Sequence, residues 1–229
     1  MTGLKPTKKS PLHHRMASAG ASLTEVSGWL LADQFVDPQE EAKSARAGVG
    51  LHDLSHASKW QVQGAKLGDF LQQLLEGRVP DLGWCSICDG GLVARTSRNQ
   101  ALFVIFDPKG PLFAALPVSV KPDECTHIVD RTSGFGCFLL CGPRAASVLR
   151  KCTQLDLRAS IFPDLACAWT PLAGVRCLLL RKDWPSIVGF IVLVSREYAE
   201  YLWNDLLASG EEFRIQPFGR KAASLLEIF

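Results

Sequence analysis

Cys85-Ser86-Ile87-Cys88 has the spacing of a metal or redox site. A C-x-x-C pair can open a zinc knuckle or act as a dithiol. A tetrahedral zinc centre needs two further ligands with close spacing of their own. Cys137 and Cys141 are four apart but enclose Phe138-Leu139-Leu140, an apolar strand-like run. No obvious helix follows Cys88, as a thioredoxin-like motif would require, so the pair reads as structural. His52, Asp53, Ser55 and His56 form a dense polar cluster. A Ser–His–Asp hydrolase draws those groups from distant segments around an oxyanion hole. Four of them within five residues cannot converge that way, and no G-x-S-x-G elbow is present. The cluster reads as a turn in which Asp53 and Ser55 cap backbone groups. Gly90-Gly91 belongs to neither a G-x-G-x-x-G motif nor a P-loop. Trp29 and Trp184 sit beside glycine or proline in loop-like stretches, which makes them candidate pocket liners for a flat heteroaromatic ligand.

The elements that must position these residues belong to a globular chain. Of 229 residues, 47% are hydrophobic and 21% charged, which excludes a disordered or collagen-like chain. The 25 basic and 23 acidic residues leave a net charge of +2, so no nucleic acid partner is expected. The longest apolar run, Ile187 to Val194, is far short of the roughly 18 residues of a membrane span. No membrane partner is expected either. The first 25 residues carry Lys5, Lys8, Lys9 and Arg15 without a long apolar core, unlike a signal peptide. The eight cysteines are then expected as free thiols, mostly buried, in a reducing cytoplasm. A basic, acid-poor start is also the composition of an organelle transit peptide.

Residues 1–9 are polar and expected to be flexible. Asp37-Pro38 with Glu40 and Glu41 predicts a helix start, and Gly48 and Gly50 its end. Alternation over 57–63 predicts a half-buried strand, with Gly64 as the turn. Leu67, Phe70, Leu71 and Leu74 then mark an apolar helix face. Residues 91–96 and 101–106 predict a hairpin around Ser97-Arg98-Asn99-Gln100. Pro108, Gly110, Pro111 and Pro117 predict irregular chain over 107–117. Strands are expected at 126–129, 137–141, 173–180 and 187–194, with a polar turn from Arg181 to Ser186. Gly142-Pro143 opens a helix carrying Val148 and Leu149. Ser195 is the expected N-cap of a helix over 196–209, ended by Gly210. The strand–Gly64–helix pattern recurs as strand–Gly142–helix, 78 residues on. The expected class is α+β, with two related antiparallel-sheet-plus-helix halves, 10–125 and 126–229, in one domain over 10–229.

Taken as a connected string, the chain resembles the glycine cleavage T-protein (aminomethyltransferase) superfamily of folate-binding proteins. The start Ser10-Pro11-Leu12-His13-His14-Arg15, with Gly20-Ala21 and Gly28-Trp29, is similar to the family's N-terminus, which argues against a transit peptide. The strongest stretch is Glu41 to Gly64, containing Gly50-Leu51-His52-Asp53-Leu54-Ser55-His56 where the family has "GLFDVSH". Gly142-Pro143, Arg181, Gly189-Phe190, Tyr201-Leu202-Trp203, Pro217 and Gly219 continue the pattern.

The resemblance implies a folate-binding fold and tetrahydrofolate as the cofactor. It also exposes two departures. The family carries paired aspartates after a Gly-Gly; here Gly90-Gly91 leads to Leu92, Val93, Ala94 and Arg95, so Ala94 or Arg95 stands at the acid's place. The family's pterin-binding glutamate falls on Ile191. Chain length and residues 151–175 and 196–203 are closer to a short form lacking the C-terminal barrel, the gamma subunit of heterotetrameric sarcosine oxidase. That likeness implies a non-catalytic accessory subunit in one-carbon metabolism, whose partners are larger flavoprotein subunits. The alternative is a tetrahydrofolate-dependent aminomethyltransferase-like enzyme. No catalytic residue or metal ligand is assigned. If a folate binds, Trp29, Arg181 and Trp184 are its expected neighbours: Trp184 stacks on the ring, and Arg181 meets the glutamate tail or holds the loop.

Overall fold

In the computed structural model, the described residues are 8–107, 110, 111, 114, 116 and 126–228. The chain opens with β1 (Lys8–Lys9), α1 (His13–Ser18), β2 (Ser22–Val26) and β3 (Trp29–Gln34). These strands form a small sheet in the order β1-β3-β2. Of the expected flexible start, residues 1–7 lie outside the described residues, whereas Lys8 and Lys9 pair with Trp29 and Leu30. Helix α2 (Pro38–Ala47) begins as the sequence predicts: the Asp37 carboxylate accepts from the Gln39 and Glu40 N–H groups, with proline at the first position. β4 (Val49–Asp53) follows.

Two strand–helix–three-strand units then make the body. The first is β5 (Ser58–Gly64), α3 (Leu67–Leu74), β6 (Cys85–Cys88), β7 (Gly91–Ser97) and β8 (Gln100–Ile105), paired as β6-β7-β8-β5. β9 (Thr126–Asp130) precedes the second, which is β10 (Phe135–Cys141), α4 (Ala145–Cys152), β11 (Cys167–Leu172), β12 (Val175–Trp184) and β13 (Ile187–Ser195), paired as β11-β12-β13-β10. The chain closes with α5 (Ala199–Gly210), β14 (Ile215–Pro217) and α6 (Arg220–Leu225). The internal echo is therefore a repeat of topology: 77 residues separate Ser58 from Phe135 and 78 separate Leu67 from Ala145.

The strand preceding each unit crosses to the other one. β4 pairs antiparallel with β10, and β9 pairs antiparallel with β5. A cut at 125, between the expected halves 10–125 and 126–229, divides both large sheets. The sheets are also not wholly antiparallel, since β14 joins β4 in parallel. Backbone bonds fasten the crossing. The Leu54 N–H donates to the Cys137 carbonyl (2.7 Å), and the Arg131 N–H donates to the Lys59 carbonyl (2.8 Å). At the far side the sheets meet at an antiparallel bridge between Trp84 and Ala166.

The layers follow from strand periodicity. Leu92, Ala94, Leu102 and Val104 face Leu139, Leu178, Leu180, Ile191 and Leu193 in one apolar core between the sheets. The opposite face of the first sheet packs Val93 and Phe103 against Leu67, Phe70 and Leu71 of α3. The opposite face of the second packs Phe138, Leu140, Leu179 and Val192 against α4 and α5. β10 is buried on both faces, which is why it reads as a continuous apolar run rather than an alternating one.

Two boundaries differ from the sequence-based expectation. β12 and β13 extend through the polar stretch to Trp184 and Ile187, because Arg181 and Asp183 satisfy each other. The helix expected from 196 starts with a 3-10 turn, Arg196–Tyr198, and Ser195 makes no side-chain cap. Most of the irregular segment expected over 107–117 lies outside the described residues.

Candidate functional site

At the rim of the inter-sheet core a cavity of about 420 Å³ opens, lined by Ile87, Cys88, Gly90, Gly91, Leu92, Phe106, Asp107, Lys182, Trp184 and Ile228. The end of the β12–β13 hairpin supplies Trp184. A Cβ at Gly189, across from Lys182, would lie 2.5 Å from the indole ring. Glycine there is what lets the ring lie against the strand. The end of β8 supplies Phe106 and Asp107, whose N–H groups both donate to the Gly90 carbonyl (2.7 and 3.1 Å). Gly90 itself has φ +72, a conformation that favours glycine, and its missing Cβ would sit 2.9 Å from Cβ of Asp107. The Lys182 ammonium lies 5.8 Å from the centre of the Trp184 ring and donates to the Asp183 carbonyl (2.8 Å). The cavity thus has aromatic and aliphatic walls with one carboxylate and one ammonium, the usual make-up of a site for a flat, mostly apolar ligand.

The three residues expected at such a site are not brought together. Trp184 lines the cavity. Arg181, one strand residue before Lys182, is buried and already engaged: its guanidinium binds Asp183 (2.8 Å) and the Phe162 carbonyl (2.9 Å) and lies 5.8 Å from the Phe190 ring centre. It holds the 162–183 corner. Trp29 is buried at the start of β3, with the Lys8 ammonium 5.7 Å from its ring centre, and is not among the cavity's lining residues. Nothing in the residue pattern singles out Phe106 and Asp107. The available signal was Gly90, whose turn needs a partner across the hairpin.

Deeper between the sheets the chemistry changes. Ala94 and Ile191, where the resemblance would put an acid and a glutamate, are both fully buried in the apolar core. A pterin's N–H edge placed there would lose its partners, at about 1–3 kcal/mol for each group left unsatisfied. Those residues do not fit the ring of a tetrahydrofolate. Arg95, the other position where the resemblance would put the acid, has a buried Nε with no hydrogen-bond partner among the described residues, while its Nη1 reaches the Pro80 carbonyl at 3.4 Å.

The other candidate clusters resolve as framework. Cys85 and Cys88 are three apart on a strand, so their side chains enter different cores. A hydrogen bond with the Cys167 thiol, together with burial, pushes the Cys85 thiol well up, and burial pushes Cys88 up to about 12. Neither is poised as a thiolate. Asp53 and Ser55 form the expected turn, the Ser55 N–H donating to the Asp53 carboxylate (2.9 Å). His52 is buried, stacked on Phe218 and bonded through Nδ1 to the Phe218 carbonyl (2.8 Å). Among the described residues, no group of three or more His, Cys, Asp or Glu side chains is placed to hold a metal ion. No helix among them is long and apolar enough to cross a membrane.

The model of the GCVT N-terminal domain matches residues 12–228. The chain belongs to that family. The GCVT-family chain is 29% identical over 235 residues to an aminomethyltransferase of Desulfitobacterium hafniense, covering 96% of this chain and 63% of that protein. It is 29% identical over 231 residues to an aminomethyltransferase of Bacillus velezensis, with the same coverage. It therefore spans less than two thirds of the length of these relatives. Among solved structures, it is similar to glycine cleavage system aminomethyltransferase T from Bartonella henselae, with TM-score 0.80 and 21% identity over 97% of this chain and 62% of that one. It is also similar to a chain of heterotetrameric sarcosine oxidase from Corynebacterium sp. U-96, with TM-score 0.68 and 20% identity over 90% of this chain and 96% of that one. These two likenesses establish the T-protein folate-binding fold, an α+β architecture of paired sheets with helices outside.

Proposed function

We propose that this GCVT-family chain is a non-catalytic accessory subunit of a sarcosine-oxidase-like amine oxidase assembly in one-carbon metabolism, working in the cytoplasm with larger flavoprotein subunits. The observation that carries this reading is the buried aliphatic pair Ala94 and Ile191 where the resemblance puts carboxylates. An inter-sheet space without a carboxylate has no group to orient a pterin or to move a proton between donor and folate. The near-complete coverage of the sarcosine oxidase chain adds support. The direct test supplies tetrahydrofolate and an aminomethyl donor, expecting no turnover. Mixing the chain with the large subunits of a sarcosine-oxidase-type enzyme should shift both to one peak on gel filtration. Turnover, or no co-elution, overturns the reading.

A second reading, a tetrahydrofolate-dependent aminomethyltransferase-like enzyme, is favoured by one observation: the rim cavity carries Asp107 and Lys182 beside Trp184. Here Trp184 would stack on the ring and Asp107 would meet its N–H edge, so that positioning supplies the rate. Saturable binding of folinic acid, lost in Asp107→Asn and Trp184→Ala, would move the balance to this reading.

A further inference from the structure

A second cleft, of about 640 Å³, lies where the end of α2, the start of α4 and the turn before β14 converge. Ser44, Ala47, Gly48, Arg144, Glu212, Phe213, Arg214 and Gln216 line it, and none of these lines the rim cavity. Its walls are fixed. The Arg144 N–H donates to the Gly48 carbonyl (3.3 Å), and a Cβ at Gly48 would meet the Phe213 carbonyl oxygen at 2.9 Å. Glu212 is neutralised by Lys151, whose ammonium also lies 5.4 Å from the Phe213 ring centre. Two cations remain without a counter-charge: neither the Arg144 nor the Arg214 guanidinium has a hydrogen-bond, ion-pair or ring partner among the described residues. Among the described residues, the Ser44 hydroxyl and the Gln216 amide are equally unengaged.

We infer that this cleft binds a small ligand through an oxyanion group, a phosphate or carboxylate, clasped by Arg144 and Arg214 with Ser44 and Gln216 as supplementary donors. Guanidinium groups match both oxyanions through paired N–H bonds, which makes them the side chains of choice for such ligands. A concave site of this volume suits a small molecule. Two surface arginines kept for solubility alone would not need a walled cleft between three elements.

Titration with inorganic phosphate and, separately, with glutarate tests this by calorimetry on the intact chain at low ionic strength. Saturable binding is expected for at least one. It should weaken about tenfold in Arg144→Ala or Arg214→Ala, vanish in the double variant, and fall as salt is added. Arg150→Ala, outside the cleft, should leave it unchanged. Both cleft arginines are exposed, so an unaltered melting temperature keeps the variants interpretable. Binding of phosphate identifies a phosphoryl ligand and binding of glutarate alone a carboxylate ligand. Binding of neither, or binding that survives the double variant, overturns the inference.

Discussion

Lys59 and Cys137 stand at equivalent points of the two units and make the same pair of crossing bonds. The Lys59 N–H donates to Thr132 Oγ1 (3.0 Å), and its carbonyl accepts from Arg131. The Cys137 N–H donates to Ser55 Oγ (3.1 Å), and its carbonyl accepts from Leu54. Ser55 and Thr132 are each held by the aspartate two residues earlier, Asp53 and Asp130. One unit thus places an amine, the other a thiol, at the same central spot, and both are fully buried.

Burial at that spot lowers the Lys59 pKa from its ordinary value of 10.5, with Cys137, Asp53 and Asp130 opposing the shift. The folded chain then binds fewer protons than the unfolded one between the lowered value and 10.5. Stability contributed by this site rises with pH across that window. Lys59→Met should remove that rise, so the melting temperature of wild type minus variant should increase as the pH is raised toward 10.5.

His56 works at the acid end. Burial, then repulsion from His52, Lys59 and Arg220, lowers its pKa to about 3. Among the described residues, its buried Nδ1 also has no hydrogen-bond partner. Stability from this neutral imidazole is complete above pH 6.5 and is lost as pH falls from there toward 3. His56→Gln should reduce the loss of unfolding free energy between pH 7 and pH 5 by about 1–2 kcal/mol, measured by urea titration at both.

Ile191 sits between Leu139 and Leu180 with no exposed surface. Restoring an acid there with Ile191→Glu should cost about 3–5 kcal/mol, since even a protonated carboxyl finds no partner in that core. Denaturation near wild-type stability would mean that the space between the sheets opens, and the transferase reading would lose the strongest objection to it.

The described thiols should be quiet. Cys85, Cys88, Cys137, Cys141 and Cys177 are buried with raised pKa values. Alkylation at pH 8 followed by peptide mapping should leave all five unmodified until denaturant is added. Rapid labelling of Cys85 or Cys88 in the native protein would reverse their assignment as framework.

Local chemistry was legible in the sequence where it acts over a few residues. The Asp37-Pro38 helix start, the Asp53–Ser55 turn and the apolar face of Leu67, Phe70 and Leu71 are all set by near neighbours. The connected Glu41–Gly64 string identified the family. What escaped depends on distance along the chain. Nothing within β4 or β9 says that each strand pairs with the other unit. Trp29 looked like a pocket liner beside Gly28, but its indole is covered by Lys8 in a sheet of its own. Arg181 reads as a contact for a glutamate tail or as a holder of the loop, and nothing near it in sequence points to the Phe162 carbonyl, which its guanidinium binds together with Asp183. Asp107 enters the cavity through the Gly90 carbonyl, seventeen residues earlier.

The crossing of β4 and β9 governs when the molecule can form. As the chain leaves the ribosome, β5 has β8 beside it but no β9, and β4 has nothing to pair with until β10 emerges. Both edges stay open to wrong partners through that interval. Assembly therefore waits for Cys141, past the midpoint, and then draws on pairings of long sequence separation, which are slow to find. Two polypeptides cut between β8 and β9 would each carry a strand the other lacks, and would have to be made side by side to close into one body.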